Sequence, residues 1–284
     1  MDLTDFNAHR STIHTQAGEI SYVDIGTGPT TLFVHGVLMS SYLWRNVIRE
    51  LAGDRRCVAL DLPGHGRTPL NPGQGLALPD LAEWLESFCT ALGLEAVDLV
   101  ANDTGGAIAQ VLVARHPKRL RSLALTNCDV HDQIPPEAFK AAVAAAREGL
   151  MAPALVEMYA HPEQARKALA QGYEHPERLS DETIREYFGP FRRLEGARGA
   201  ERVITSLHAA DLLAVESELA KFEVPTLIVW GTGDTFFDVK WAYWLKDAIK
   251  GAERMIEIPG AKLFWPDERA AELVPHLRQH WRAC

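Results

Sequence analysis

LVANDTGGAIAQ (Leu99–Gln110) begins as an apolar run, stops at an acid and passes through two glycines into a helix-like pattern. Ala101-Asn102-Asp103-Thr104-Gly105-Gly106 has the form small-x-nucleophile-x-Gly, a strand, a sharp turn and a helix, with Asp103 at the apex. Small residues suit such a turn because strand and helix pass close together there. The apex side chain is pushed out of the sheet, and the N-terminus of the helix offers N–H groups to an anion. Three readings of Asp103 follow: a nucleophile, half of an aspartic-protease pair, or an N-cap of the helix that begins near Gly105. The protease reading needs two Asp-Thr-Gly or Asp-Ser-Gly loops sharing a proton, and this chain has one such triplet. Its alternation of strands and helices is also wrong for an all-β protease.

The 284 residues suit one large α/β domain, or a core domain with an insertion. With 47% hydrophobic and 24% charged residues, the composition is that of a globular protein. A formal net charge of −9 argues against nucleic acid or an anionic membrane as partner, since both need clustered Lys and Arg. The densest basic run, FRRLEGARGAER, is broken by glutamates and reads as a solvated face. Cys57, Cys89, Cys128 and Cys284 show no short-spaced pair, a poor zinc or disulfide framework that fits a reducing compartment. The opening MDLTDFNAHR lacks a signal-peptide pattern, and no apolar run reaches membrane-spanning length. The expectation is a cytoplasmic protein, monomer or homodimer, with a small-molecule substrate. No metal or organic cofactor is implied, because no His/Cys/carboxylate cluster has ligand spacing.

Seven short runs read as strands: EISYVDIG, TTLFVHG, RCVALDLPG, AVDLVAND, LRSLALTNCD, PTLIVWGTGD and RMIEIPG. Amphipathic stretches such as SSYLWRNVIREL, LPDLAEWLESFCTALGL and VKWAYWLKDAIKG follow several of them. Buried runs alternating with helices predict a mostly parallel sheet flanked by helices. The alternation breaks over 130–222, which is Ala-, Glu- and Arg-rich with helical periodicity and no convincing strand. This interval is expected to be a helical cap (lid), hinged at the double proline of VHDQIPPEAF, on a core of residues 1–129 and 223–284. Ligands of a parallel sheet gather at the carboxyl ends of its strands. That directs attention to His35-Gly36-Val37, Asp61, Asp103, Asp129, Asp234 and the loop after Pro259.

Further stretches carry a resemblance. FVHGVLMSSYLWRNVI resembles the oxyanion-loop segment of haloalkane dehalogenases, DLPGHGRT the Asp-x-x-Gly-x-Gly loop of the same superfamily, and VPTLIVWGTGDTFF its penultimate strand. REYFGPF resembles a Tyr-x-x-Pro-Phe stretch of the dehalogenase lid. The chain is identified from these motifs as a member of the α/β-hydrolase superfamily, on the haloalkane dehalogenase and epoxide hydrolase branch, where Asp is the nucleophile. The resemblance runs from about residue 10 to the C-terminus.

On that branch a carboxylate attacks carbon to form an ester, and a histidine oriented by an acid activates water to hydrolyse it. Carried over, the resemblance implies Asp103 as nucleophile, the N–H groups of Val37 and Thr104 as oxyanion hole, and Asp234 or Asp129 as the acid. It places His35, Leu38, Trp44, Tyr187, Leu263 and Phe264 around the substrate. The histidine itself is absent: in IEIPGAKLFWPDERAAEL, aligning Phe264 with the family's aromatic puts Leu263 in its slot. Lys262 beside it reads as a solvated side chain, and His276 and His280 lie too far along. His35 and His65 read as scaffold residues, while His131, just beyond a strand end, is a candidate base. The halide donors of dehalogenases, a Trp after the nucleophile and an Asn after the His-Gly pair, are replaced by Thr104 and Val37, which disfavours ordinary dehalogenation. Among Tyr159, Tyr173 and Tyr187, the last is the best match to a ring-opening proton donor of epoxide hydrolases. Three functions stay open. They are an Asp103-ester hydrolase acting on a small apolar ester, epoxide or halide, a non-hydrolytic lyase or isomerase, and a turnover-impaired ligand binder.

Overall fold

Eight strands are formed: β1 (Arg10–Thr15), β2 (Gly18–Ile25), β3 (Thr30–Val34), β4 (Arg56–Leu60), β5 (Val97–Asp103), β6 (Leu120–Cys128), β7 (Thr226–Gly231) and β8 (Ala252–Ile258). They join into one sheet in the order β1-β2-β4-β3-β5-β6-β7-β8 in the computed structural model, which describes residues 1–283. β1 and β2 pair antiparallel, as do β2 and β4, and every later pairing is parallel. All seven residues of β5 and all six of β7 are buried. Burial of consecutive residues, which point to opposite faces of a strand, means that both faces of the sheet are covered there.

Each run read as a strand in the sequence forms one, and the structure adds β1. RSTIHT is polar and half exposed along the sheet edge, so its alternation carries too few apolar residues to be noticed. Helices Leu78–Ala91 and Thr104–Arg115 pack on one another, and the second also packs on β5 and β6. The C-terminal helix Ala270–Ala283 packs on helix Arg45–Leu51. Between β6 and β7 the regular elements are all helices among the described residues. The longer pieces are Lys140–Arg147, Met151–Ala160, Pro162–Leu169, Asp181–Phe188 and Leu194–Thr205. Helix Leu194–Thr205 is the hub, packing on the first two of these and on the turn Gly189–Arg192.

Two fixtures hold this helical insertion to the end of the sheet. Arg45 forms a buried ion pair with Asp267 at 2.7 Å, and the hydroxyls of Tyr173 and Tyr187 donate to the same carboxylate at 3.2 and 3.3 Å. Glu268 accepts from the N–H groups of Glu174 and His175, both at 2.8 Å. The loop after β8 is thereby fastened to the insertion through consecutive residues. No described helix is long and apolar enough to cross a membrane.

Candidate active site

Asp103 ends β5 with φ 57° and ψ −135°, a positive-φ conformation that side chains with a Cβ seldom adopt. The turn is possible because its neighbours are small. A Cβ on Gly105 would lie 2.5 Å from the Val34 carbonyl oxygen. A Cβ on Gly36 would lie 2.0 Å from Oδ2 of Asp103 and 2.4 Å from its Cβ and Cγ. The carboxylate therefore occupies the space that glycine leaves in the His35-Gly36-Val37 loop. It does not cap the helix in the usual way; the backbone N–H groups that reach it belong to Thr104 and Val37.

Asp103 faces a cavity of about 360 Å³, within the range of small-molecule sites. Of the residues singled out in the sequence, Val37, Leu38, Asp103, Thr104, Asp129, Leu263 and Phe264 line it. Apart from the acids, Thr104 and Gln171, the wall is apolar or glycine. Prolines 135 and 136, Phe139, Phe188, Phe236, Phe237 and a run of alanines supply much of it. No Lys, Arg or His is among the described lining residues.

Three carboxylates meet here without a cation. Burial and the charges of Asp129 and Asp234 push Asp103 well above the ordinary carboxylate range, opposed by the N–H groups of Thr104 and Val37. Burial raises Asp129 to about 7, opposed by the Thr104 hydroxyl, which donates to its Oδ2 at 3.0 Å. Asp234, raised by burial to about 6, is held from behind. The Phe236 N–H donates to its Oδ1 and the Asn127 amide to its Oδ2, each at 2.8 Å. Asp234 is absent from the lining, whereas Asp129 is part of it.

The loop after β8, which carries Leu263, is tightly held. Asn102, beside Asp103, donates to the Leu263 carbonyl at 3.0 Å, and Phe264 donates its N–H to the Gly172 carbonyl of the insertion at 2.9 Å. Asn127 accepts from the Trp265 indole at 3.0 Å and from Gly231 N–H at 2.7 Å. The loop is thus clamped to β5, β6 and β7, and the Leu263 side chain is buried against the cavity. Asn102 and Asn127 are residues of this arrangement to which sequence reasoning gave no role, while Gly36 lies in the strand end that it singled out. The only signal for the first two was an Asn at or near two strand ends.

Six residues considered in the sequence are placed elsewhere. His131 pairs with Glu216 through Nδ1 and stacks on Trp244, ring centres 4.9 Å apart, outside the cavity lining. It is a fastening of the chain leaving β6 and is not part of the wall that Asp103 faces. His35 is wholly buried: Nε2 accepts from Leu62 N–H at 3.0 Å, which leaves Nδ1–H to donate to the Gly36 carbonyl at 2.7 Å. Burial holds it down to about 3, so it is a neutral brace of the His35-Gly36-Val37 loop. Trp44 is buried against Phe33, ring centres 5.2 Å apart. Tyr187 is committed to Asp267 and Arg45, so its hydroxyl does not point into the cavity. Lys262 reaches the Ala170 carbonyl at 3.0 Å, and Asp61 pairs with Arg10 at 2.6 Å, both structural uses.

A family described as alpha/beta hydrolase fold matches residues 29–265. A haloalkane dehalogenase of Agrobacterium fabrum is 26% identical over 276 residues, covering 93% of this chain and 88% of that protein. A cis-3-alkyl-4-alkyloxetan-2-one decarboxylase of Shewanella oneidensis is 26% identical over 250 residues, covering 82% and 77%. Among solved structures, a haloalkane dehalogenase from Bradyrhizobium elkani superposes with a TM-score of 0.77 at 21% identity, covering 97% of this chain and 99% of that one. With more than half its length matched by one family, this chain belongs to the α/β-hydrolase fold family and is an enzyme related to the haloalkane dehalogenases.

Proposed function

We propose that the protein opens small, neutral, apolar electrophiles by attack of the Asp103 carboxylate on carbon, forming an ester on Asp103. The observation that carries this is the position of that carboxylate, on a strained apex, cradled by two backbone N–H groups and facing an apolar cavity. The carbon–leaving-group bond breaks as the carbon–Oδ bond forms. In the next step water attacks Cγ of the ester, and the oxygen that becomes negative is held by the N–H groups of Val37 and Thr104. The helical insertion acts as the cap that keeps bulk water from the first step.

The leaving group selects among electrophiles. A departing halide would meet Thr104 and Val37 in place of the Trp and Asn donors of the dehalogenases. The Thr104 hydroxyl is taken by Asp129, and the Gln171 amide donates to Thr235 at 3.1 Å. A strained oxygen ring, such as an epoxide, keeps its leaving oxygen tethered and releases strain on opening, so it fits better than a haloalkane. A second reading is favoured by Leu263 and by the activity named for the Shewanella relative. Conversion of an oxetan-2-one to an alkene and carbon dioxide consumes no water and so needs no water-activating histidine.

Intact-mass measurement after incubation with 1,2-epoxyhexane tests the reading. The expected result is a gain equal to the epoxide mass, located on Asp103 after proteolysis and abolished in Asp103→Asn. Turnover undiminished in Asp103→Asn overturns it. Conversion of a dialkyl oxetanone to alkene with no diol from the epoxide would favour the second reading.

A further inference from the structure

With Leu263 in the slot after β8, no histidine lies between Asp103 and the other acids. Asp129 then becomes the group to explain. It is 3% exposed, lines the cavity alongside Asp103, and has one hydrogen bond to its carboxylate, from Thr104 to Oδ2. Its own carbonyl accepts from Gln110 at 2.8 Å, which fixes the backbone where β6 ends. Thr104 is the residue next to the nucleophile: its backbone N–H reaches Asp103 and its hydroxyl reaches Asp129. The other titratable groups around Asp129 are the buried Cys128 thiol and Asp234, which is occupied by Asn127 and Phe236. His131, two residues on, is turned away to Glu216.

We propose that Asp129 is the acid–base catalyst of this enzyme, taking over the work of the missing histidine. The inference rests on Asp103 being the nucleophile. In an epoxide opening, ionised Asp103 attacks carbon, the ring C–O bond breaks, and neutral Asp129 gives its proton to the ring oxygen. The product is a hydroxy-ester on Asp103 and ionised Asp129. Asp129 then takes a proton from water as the water oxygen bonds to Cγ of the ester. Collapse breaks the bond from Cγ to the alcohol oxygen, which receives that proton from Asp129. The second water proton remains on the regenerated Asp103 carboxyl and passes to Asp129, which restores the starting state. Epoxide and water are consumed, a diol is formed, and both carboxyls are recovered. The two roles divide according to which charge state the surroundings favour. Asp103 has two backbone N–H groups that favour its charged form, whereas Asp129 has the Thr104 hydroxyl alone; the two acids share one proton, and attack proceeds from the form in which it lies on Asp129.

The test compares two electrophiles with different needs. 1,2-Epoxyhexane requires a proton donor on opening and 1-iodohexane does not, while both need ionised Asp103. Their alkylation rates are measured by intact mass in wild type and Asp129→Asn, whose amide oxygen still accepts from Thr104. The epoxide-to-iodide rate ratio is expected to fall as pH rises through about 7 in wild type and to be low and flat with pH in Asp129→Asn. Release of the preformed hexyl ester is expected to slow about 10²–10⁴-fold in Asp129→Asn, the usual worth of a general base. A purely structural role would slow both alkylations together. An unchanged ratio and unchanged release in Asp129→Asn overturn the proposal, as does a wild-type ester that never releases between pH 5 and 9. If neither electrophile labels wild-type Asp103, the nucleophile reading itself falls. Labelling that proceeds without the Asp129 signature fails this inference alone.

Discussion

Gly36 sets the position of the Asp103 carboxylate, which fills the space where a Cβ would be. Gly36→Ala is expected to keep the fold and to slow alkylation of Asp103 about 10²-fold, the usual cost of displacing a reacting group by about 1 Å. Unchanged labelling by intact mass would refute it. Asp129 makes a second prediction through stability. Its folded pKa lies above the unfolded value, so the folded state favours the neutral carboxyl. That contribution is intact below about pH 4 and is lost as pH rises towards about 7. Asp129→Asn is therefore expected to match wild type near pH 4 and to be more stable by about 2–4 kcal/mol at pH 8, measured by urea unfolding. A difference independent of pH would contradict this. The acids at the strand ends could be found from sequence because a parallel sheet delivers its strand ends to one place. Asn102 and Asn127 could not, since their value lies in distances between strands that a linear pattern does not contain. His131 misled for the same reason: it lies two residues past Asp129, yet its own left-handed backbone, φ 54°, turns it to Glu216.

At the level of elements, the link between the insertion and the loop after β8 is the least redundant joint. Among the described residues Arg45 is the cation paired with Asp267, and the two tyrosines cannot neutralise that charge. Arg45→Met is expected to destabilise by about 3–5 kcal/mol, the cost of stranding a buried charge. The measurement is a denaturant titration, and a loss below about 1 kcal/mol, the scale of an exposed pair, would show that the insertion is held by other contacts. The central strands were plain in the sequence because burial on both faces demands continuous apolar runs. Edge strand β1 was not, because solvent tolerates almost any polar alternation there. Tyr187 shows how an element can be read correctly and its side chain misread. Helix Asp181–Phe188 forms as its pattern suggests, but the hydroxyl turns to the ion pair instead of the cavity.

For the molecule as a whole, acids gather in an apolar chamber on a chain whose formal net charge is already −9. With no basic residue on the described wall, an anionic ligand would face both repulsion and desolvation. Hexanoate is expected to compete with epoxide labelling roughly 10²-fold more weakly than 1-hexanol, because burying its charge unpaired costs several kcal/mol. Comparable inhibition by the two would overturn that reading of the chamber. One further consequence belongs to Leu263. The bond from Asn102 grips its peptide carbonyl, so the loop is held whatever side chain the position carries. The frame and the side chain at this position are thus separable: an exchange of the side chain leaves the bond that holds the loop in place.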